Sequence, residues 1–165
     1  MEFFDIVEKR ASVRRYQPKP IESEKLDRIL QAMRRAPSAV NRQEWIFCAA
    51  VSPEIKAQLA QLTKFDWVNQ AGAVIAVCGT DCGMMTNSHR SDTVDLSIAL
   101  TFGMLAAEDL GLGSCWIAHY TEPEIKAILG LPEEYSVASI LTVGYPDEAP
   151  APRPRKPLSD IVRIL

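Results

Sequence analysis

Apolar positions recur along the chain in two patterns, at helical spacing and in short continuous runs. In the segment Ser23–Arg35 the apolar residues fall on one side of a helix: Leu26, Ile29, Leu30 and Met33. Ser23 is of a residue type that caps helices, and Pro37 restricts the preceding residue to extended geometry. The pattern therefore predicts a surface helix that begins at Ser23 and ends before Pro37.

Three later segments are also predicted as helices: Pro53–Leu62, Asp92–Leu110 and Glu122–Leu129. Ser52 is placed to cap the first of these, and Gly130 to end the last. The segment Asp92–Leu110 would be about 28 Å long at ~1.5 Å per residue. Because it is apolar nearly all round, we expect it to be buried on most sides, within one subunit or across a dimer interface.

Four short apolar runs are predicted as strands: Ile46–Val51, Ala73–Cys78, Ser114–Ala118 and Val137–Val143. A doubly wound dinucleotide fold would have a glycine fingerprint directly after an early strand. Here Gly111-Leu112-Gly113 follows a helix and precedes a strand. The order of elements instead indicates a mixed α/β or α+β sheet packed with helices.

Residues 79–91 have little hydrophobic periodicity and are predicted to form a loop, in which His89 is an exposed residue. The tail after residue 150 changes character, because its prolines favour an extended path. Apolar residues follow these prolines and require a surface to dock on: Leu158, Ile161, Val162, Ile164 and Leu165. The tail either folds back on its own domain or reaches a second subunit as an arm.

Composition places the chain among ordinary globular proteins of one domain, which we assign to residues 1–165. Of its residues 47% are apolar and 24% are charged, and the net charge is -3. This balance argues against nucleic-acid binding. Basic residues concentrate in residues 9–42 and at Arg153, Arg155 and Lys156, which favours one small anionic ligand over a polyanion.

Targeting and metal-binding signals are not predicted. The first residues lack the pattern of a signal peptide, and the longest uncharged apolar run, Leu96–Ala107, is too short to span a bilayer. Cys78 and Cys82 form a single C-x3-C without a matching pair, which argues against zinc. Cys48, Cys78 and Cys115 lie in apolar surroundings, so we expect reduced thiols and a cytoplasmic protein.

The stretch Arg10-Ala11-Ser12-Val13-Arg14 carries the first candidate chemistry. If it is extended, then Arg10, Ser12 and Arg14 point the same way. Two guanidinium groups with a hydroxyl between them suit a cluster of phosphate oxygens. Two other interpretations stay open on spacing alone: in one, Arg10 complements the end of the preceding helix, and in the other, the run Lys9–Ser12 is a solvated basic patch resembling a kinase site.

Four segments, in order along the chain, resemble the motifs of the FMN-dependent nitroreductase family. Arg10–Arg14 is similar to its R-x-S-x-R signature, and Ala36–Trp45 to its A-P-S-x-x-N-x-Q-P-W loop. Leu110–Ile117 is similar to its G-L-G-S-x-W-I segment, and Arg153–Leu158 to its basic closing motif. Each motif is weak alone, but together they are specific and span nearly the whole chain.

The resemblance implies a nitroreductase-like α+β fold, with a mostly antiparallel sheet flanked by helices in an intertwined homodimer whose C-terminal arm is residues 150–165. It also implies FMN at the dimer interface, NADH or NADPH as the hydride donor, and a small-molecule electron acceptor. The implied cofactor-binding residues of one subunit are those of the phosphate side and of the flavin N5 side: Arg10, Ala11, Ser12, Arg14, Trp116, Ile117, Ala118, Arg153 and Arg155. The partner subunit would line the flavin edge with Pro37, Ser38, Ala39 and Asn41.

The implied activity is hydride transfer from NAD(P)H through the flavin to nitroaromatic, quinone or similar planar acceptors, without a side-chain acid or base. A reductive dehalogenase or flavin-modifying enzyme of the same fold, and a flavin-binding protein without enzymatic activity, remain alternatives. The chain departs from the family pattern at Ala11, at Glu44 in place of the common proline, and at Ala118-His119 where glycine is frequent. We expect Arg10→Ala, Arg14→Ala and a truncation at Pro152 each to weaken FMN binding.

Overall fold

Four strands form a single antiparallel sheet in the order β1-β2-β4-β3. The strands are β1 Trp45–Ala50, β2 Ala73–Thr80, β3 Gly113–Ile117 and β4 Tyr135–Gly144. These bounds come from a computed structural model, which describes residues 2–80, 83–151 and 153–165. The predicted roles of Cys82 and Pro152 lie outside the described residues.

Within the described residues, six helices accompany the sheet. They are α1 Phe3–Lys9, α2 Ser23–Arg34, α3 Pro53–Thr63, α4 Ser91–Asp109, α5 Glu122–Leu129 and α6 Leu158–Ile161. Short 3-10 turns are formed by Ala39–Asn41 and Asp66–Gln70. The predicted α+β class with an antiparallel sheet is confirmed.

The order of the strands follows from burial. All residues of β2 up to Gly79 are buried, as expected for a central strand with a continuous apolar run. Successive side chains of β2 enter two cores on opposite faces of the sheet. One core joins Ile75 and Val77 to α2 and α4, and the other joins Val74 and Ala76 to α3 and α5.

Helix caps were predicted with mixed success. The Ser52 side chain accepts a hydrogen bond from the Ile55 amide, which confirms it as the cap of α3. Ser23, in contrast, lies inside α2 as its first residue, and the residue that precedes the helix is Glu22, whose side chain makes no capping hydrogen bond. The predicted cap at Ser23 is therefore wrong.

Two predicted irregular segments contain more regular structure than expected. Residues 79 and 80 continue β2 and pair with β4, because Gly79 is opposite Ser136 and Thr80 is opposite Tyr135. The tail forms the one-turn helix α6 after its prolines. Within the described residues, no helix is both long enough and apolar enough to cross a membrane.

Candidate functional site

The stretch from Arg10 to Tyr16 runs as an extended segment along the end of the sheet, directly after α1. Ser12 forms a parallel bridge with Ser114 of β3, and the Val13 amide donates to the Ser114 carbonyl oxygen over 2.9 Å. Tyr16 forms an antiparallel bridge with Pro146, just beyond β4. We call residues 10–16 the basic strand.

Two glycines allow the basic strand to approach the sheet closely. A Cβ atom at Gly113 would lie 2.7 Å from Val13 Cγ2, and one at Gly144 would lie 2.8 Å from Tyr16 Cδ1. Side chains at these two places would push the basic strand away. The buried Val13 and Tyr16 therefore attach the basic strand to the end of the sheet.

Three side chains of the basic strand influence one buried thiol. Burial raises the pKa of the Cys115 thiol, and the neighbouring Arg14, Ser12 and Arg10 oppose that rise. Ser12 and Arg14 both lie near the thiol, which itself donates to the Trp116 carbonyl oxygen over 3.6 Å. The two guanidinium groups and the hydroxyl are thus all close enough to Cys115 to affect its pKa, and the half-buried Ala11 lies between Arg10 and Ser12.

Acidic residues lie next to the basic strand and partly balance its positive charge. Burial raises the pKa of Glu108 on α4, and the nearby Arg10 and Lys9 counteract that rise. The Arg14 amide donates to Glu148 Oε1 over 2.5 Å. Arg15 is held differently, because its guanidinium donates to the Asp147 carbonyl oxygen over 2.8 Å. Arg10 and Arg14 are therefore the arginines grouped at the thiol.

The alternative interpretation of Arg10 as a helix-end residue is compatible with this arrangement. Its amide donates to the Ile6 carbonyl oxygen over 3.0 Å, so Arg10 directly follows the last turn of α1. A cation at this point is favourable for the helix dipole. The backbone of Arg10 ends the helix, while its positive charge opposes the rise in the pKa of both Cys115 and Glu108.

The end of β3 lies beside the basic strand. Cys115 and Trp116 are consecutive residues, so the thiol grouped with the arginines is next to the predicted flavin-side segment. Trp116 is 39% exposed, and its indole N–H donates to the Ser139 hydroxyl. Ile117 is buried, whereas Ala118 is exposed just beyond the strand. Since β3 is an edge strand, this segment borders the surface.

The predicted flavin-edge loop has an unusual backbone. Val40, Asn41 and Gln43 have φ angles of 53°, 57° and 56°, in the left-handed region that non-glycine residues rarely adopt. Pro37 and Asn41 are exposed, and Ser38 and Ala39 are half-buried. We call residues 37–43 the left-handed loop. Such strain persists only where surrounding contacts hold it, and it clusters at functional sites.

The left-handed loop is held by two side chains. Asp95 of α4 accepts the Ala39 amide at 3.0 Å from each of its carboxylate oxygens. The Ser38 hydroxyl accepts the Gln43 amide over 3.1 Å. The loop is therefore bonded to α4, on a different part of the molecule from the basic strand.

The tail arginines lie in an exposed segment. Arg153 and Arg155 are both exposed, and Arg155 Nη1 donates to the Arg153 carbonyl oxygen over 3.4 Å. Within one chain, the structure thus joins the basic strand to the end of β3. The left-handed loop and the tail have their described hydrogen bonds elsewhere.

Two residues important for this geometry were not predicted from the sequence. Asp95 is 7% exposed, although it is a carboxylate directly before the apolar middle of α4. This contrast could have indicated Asp95 from the sequence, because a charged residue is rarely buried without a partner. Tyr16 is the second, and its signal was an aromatic residue among cations with a hydroxyl that must be hydrogen-bonded when buried.

The fold and these segments define an enzyme family. The model of the nitroreductase family matches residues 7–74 and 59–145. The chain belongs to the nitroreductase family, which confirms the resemblance found in its motifs.

Individual relatives agree with this assignment. The chain is 33% identical, over 84% of its length and 82% of the relative, to a protein of Archaeoglobus fulgidus provisionally named NADH dehydrogenase/NAD(P)H nitroreductase. An FMN-dependent nitroreductase of Clostridium difficile superposes with a TM-score of 0.81 at 31% identity, covering 92% of this chain and 91% of that one. The NADPH:FMN oxidoreductase of Vibrio harveyi superposes with a TM-score of 0.90 at 25% identity, covering 98% and 76%.

Proposed function

We propose that the chain is an FMN-dependent oxidoreductase that transfers hydride from NAD(P)H to nitroaromatic, quinone or similar planar acceptors. The observation that carries this proposal is the pairing of the basic strand with β3 at Ser114, which brings Arg10, Ser12 and Arg14 to Cys115, next to Trp116. The names of the relatives in Clostridium difficile and Vibrio harveyi include FMN, in agreement with the cofactor predicted from the motifs. The acceptor is the part of the proposal that their names leave open.

The described residues fit the phosphate end of FMN. Arg10 and Arg14 are permanently charged donors on one side of a strand, and Ser12 adds a hydroxyl between them. Their common neighbour Cys115 is a neutral thiol, since burial raises its pKa. The three side chains therefore present donors to a phosphate, and the exposed Arg153 and Arg155 supply further positive charge from the tail.

The other proposed contacts orient the ring system. The backbone of Trp116, Ile117 and Ala118 lies at the edge of the sheet, where it can offer donors to the flavin N5 side. The left-handed loop of the partner, through Pro37, Ser38, Ala39 and Asn41, lines the flavin edge. Bound FMN supplies the hydride chemistry, so the protein is required to bind, orient and exclude water.

The arrangement does not require a side-chain acid or base. His119 follows the flavin-side segment, and its ring lies 5.6 Å from the ring of Phe65, tilted by 38°. This packing supports a structural role for His119. Protons for the reduced acceptor would then come from water or from the acceptor's surroundings.

A homodimer explains the apolar residues that one chain leaves exposed. Phe3 and Phe4 of α1 are 60% and 76% exposed, and Ile164 and Leu165 at the end of the tail are more than 90% exposed. Phe102 of the long helix α4 is also exposed. Exposed apolar surface of this extent is typical of an interface. In the proposed dimer these residues pack against the second subunit, and each site draws residues from both.

Anaerobic mixing with NADH and NADPH tests this function. The protein is first loaded with FMN and then mixed with each nucleotide without oxygen. We expect the flavin absorbance to be lost with at least one nucleotide and restored by a quinone or nitroaromatic acceptor. Purified protein that binds no added FMN would refute the proposal. Bound FMN that neither nucleotide reduces would favour the flavin-binding protein without enzymatic activity.

Reductive dehalogenation is a second candidate, favoured by one comparison. The chain is 25% identical to an iodotyrosine deiodinase of Thermotoga neapolitana, over 96% of this chain and 95% of that one. Rates with nitro, quinone and halogenated aromatic acceptors, measured at equal concentration, separate the two. Faster turnover of the halogenated acceptor would show that the chain is a dehalogenase and not a reductase of nitroaromatics or quinones. The proposed FMN site would be unchanged by that result.

A further inference from the structure

Asp95 is a buried carboxylate with a defined target outside its own helix. It is 7% exposed, and both of its oxygens lie 3.0 Å from the Ala39 amide nitrogen. Ala39 lies 56 residues earlier in the chain, in the left-handed loop. The buried carboxylate of Asp95 therefore holds the backbone amide of a residue that is distant in the sequence.

The loop needs such a restraint because its backbone is in an uncommon conformation. Val40 has φ 53° and ψ 23°, which is unfavourable for a β-branched residue, and its side chain is 87% exposed. The Val40 side chain therefore contributes little packing that could hold this conformation. Besides the backbone hydrogen bonds from Asn41 to Ser38 and from Arg42 to Ala39, side chains accept the Ala39 amide at Asp95 and the Gln43 amide at Ser38, one on each side of Val40.

A second acidic residue of the same helix provides a comparison. Asp92 is 2% exposed and lies three residues before Asp95, but it is bonded to other groups. Arg90 Nη2 lies 2.7 Å from one of its oxygens, and the Ser136 hydroxyl donates to the same oxygen over 2.9 Å. Asp92 thus fastens the start of α4 to β4, whereas Asp95 reaches the loop.

We propose that Asp95 is a positioning residue, whose carboxylate holds the left-handed loop in the conformation that receives the flavin edge. This inference rests on the proposed function, because it takes residues 37–41 as part of the FMN site. Asp95 acts through Ala39 and need not touch the cofactor. Preorganisation of the loop lowers the ordering cost that binding would otherwise carry.

Replacement of Asp95 tests the inference by two measurements. Asp95→Ala removes the acceptor, and Asp95→Asn keeps one oxygen that can accept the Ala39 amide. FMN affinity is measured by titration, and amide hydrogen exchange of residues 39–43 is measured in the protein without FMN. We expect Asp95→Ala to weaken FMN binding about 10-fold and to accelerate exchange in the loop, since a hydrogen bond to a charged group is lost. Asp95→Asn should restore most of both.

Asp92→Ala is the matched control, because it removes an equally buried carboxylate from the same helix. We expect it to lower the melting temperature while FMN affinity stays within about twofold of wild type. If Asp95→Ala likewise lowers only the melting temperature, Asp95 is structural and the inference is wrong. Wild-type protein that binds no FMN would instead refute the proposed function. In that case the hydrogen exchange of Asp95→Ala still shows whether the carboxylate holds the loop.

Discussion

The Tyr16 hydroxyl lies 2.8 Å from the Thr142 hydroxyl of β4 and donates to the Val13 carbonyl oxygen over 2.7 Å. This buried contact ties the basic strand to the central part of the sheet. Its burial raises the pKa of Tyr16, so the phenol stays neutral and remains a donor. The position of Arg10 and Arg14 thus depends on a hydroxyl that would not contact the phosphate.

Tyr16→Phe removes this hydroxyl and keeps the ring. We expect the free energy of unfolding to fall by about 1–2 kcal/mol, because the buried Val13 carbonyl loses a partner. We also expect weaker FMN binding, since the basic strand is less firmly held. Urea unfolding and FMN titration measure the two effects. Tyr145→Phe is the control, because the Tyr145 hydroxyl donates to Glu22 at the surface; equal losses of affinity in both variants would contradict the prediction.

Val40 should be replaceable with a gain in stability. Its φ of 53° is unfavourable for valine, and asparagine tolerates this region far better. We expect Val40→Asn to raise the free energy of unfolding by about 1 kcal/mol, since the 87% exposed side chain gives up little packing. Val51→Asn is the control, an exposed valine without a positive φ. A loss of stability for Val40→Asn in urea unfolding would show that the side chain is buried in the assembled protein.

Cys48 is expected to be the most reactive of the described thiols. Cys48 is opposite Ala76 and Cys78 is opposite Ile46, so the two cysteines are diagonal neighbours on β1 and β2. A hydrogen bond from the Cys78 thiol lowers the pKa of Cys48 to about 7. Alkylation by iodoacetamide should therefore rise steeply as the pH increases from about 6 to 8, because the thiolate is the reactive form.

Mass spectrometry in a Cys82→Ser background follows this reaction. Cys78→Ala removes the donor, so the midpoint for Cys48 should move toward the ordinary thiol pKa of about 8.5. The control is Cys115, which is buried with a raised pKa and should react much more slowly than Cys48. An unchanged midpoint in Cys78→Ala would mean that the thiol pair does not activate Cys48.

The sequence predicted the elements best where a local signal coincided with a local cause. Helix α5 has the predicted bounds Glu122–Leu129, since its proline start and Gly130 end are both local. The cap at Ser52 is local in the same way. The prediction of Ser23 as the cap was wrong because the first turn already begins at Glu22. The amides of Lys25 and Leu26 both donate to the Glu22 carbonyl oxygen.

The arrangement of the site could be predicted only in part. Alternation along an extended strand predicts Arg10, Ser12 and Arg14 on one side, and the influence of all three on the Cys115 pKa agrees with that prediction. The left-handed backbone of Val40 could not be foreseen, because valine disfavours it and the restraint comes from Asp95, 55 residues further along the chain. Contacts of this kind depend on how α4 packs, and no local pattern encodes them.

The central claim is that the basic strand recognises the phosphate of FMN, and a comparison of FMN with riboflavin tests it most directly. Riboflavin lacks the phosphate, so the ratio of the two affinities isolates that group. We expect wild-type protein to bind FMN about 100-fold more tightly than riboflavin, and Arg14→Ala to reduce this ratio about 10-fold, since each charged hydrogen bond lost costs about 1.5–3 kcal/mol. Arg15→Ala, whose guanidinium is bonded to Asp147, should leave the ratio unchanged. Equal binding of FMN and riboflavin by the wild type, or equal effects of Arg14→Ala and Arg15→Ala, would contradict the claim.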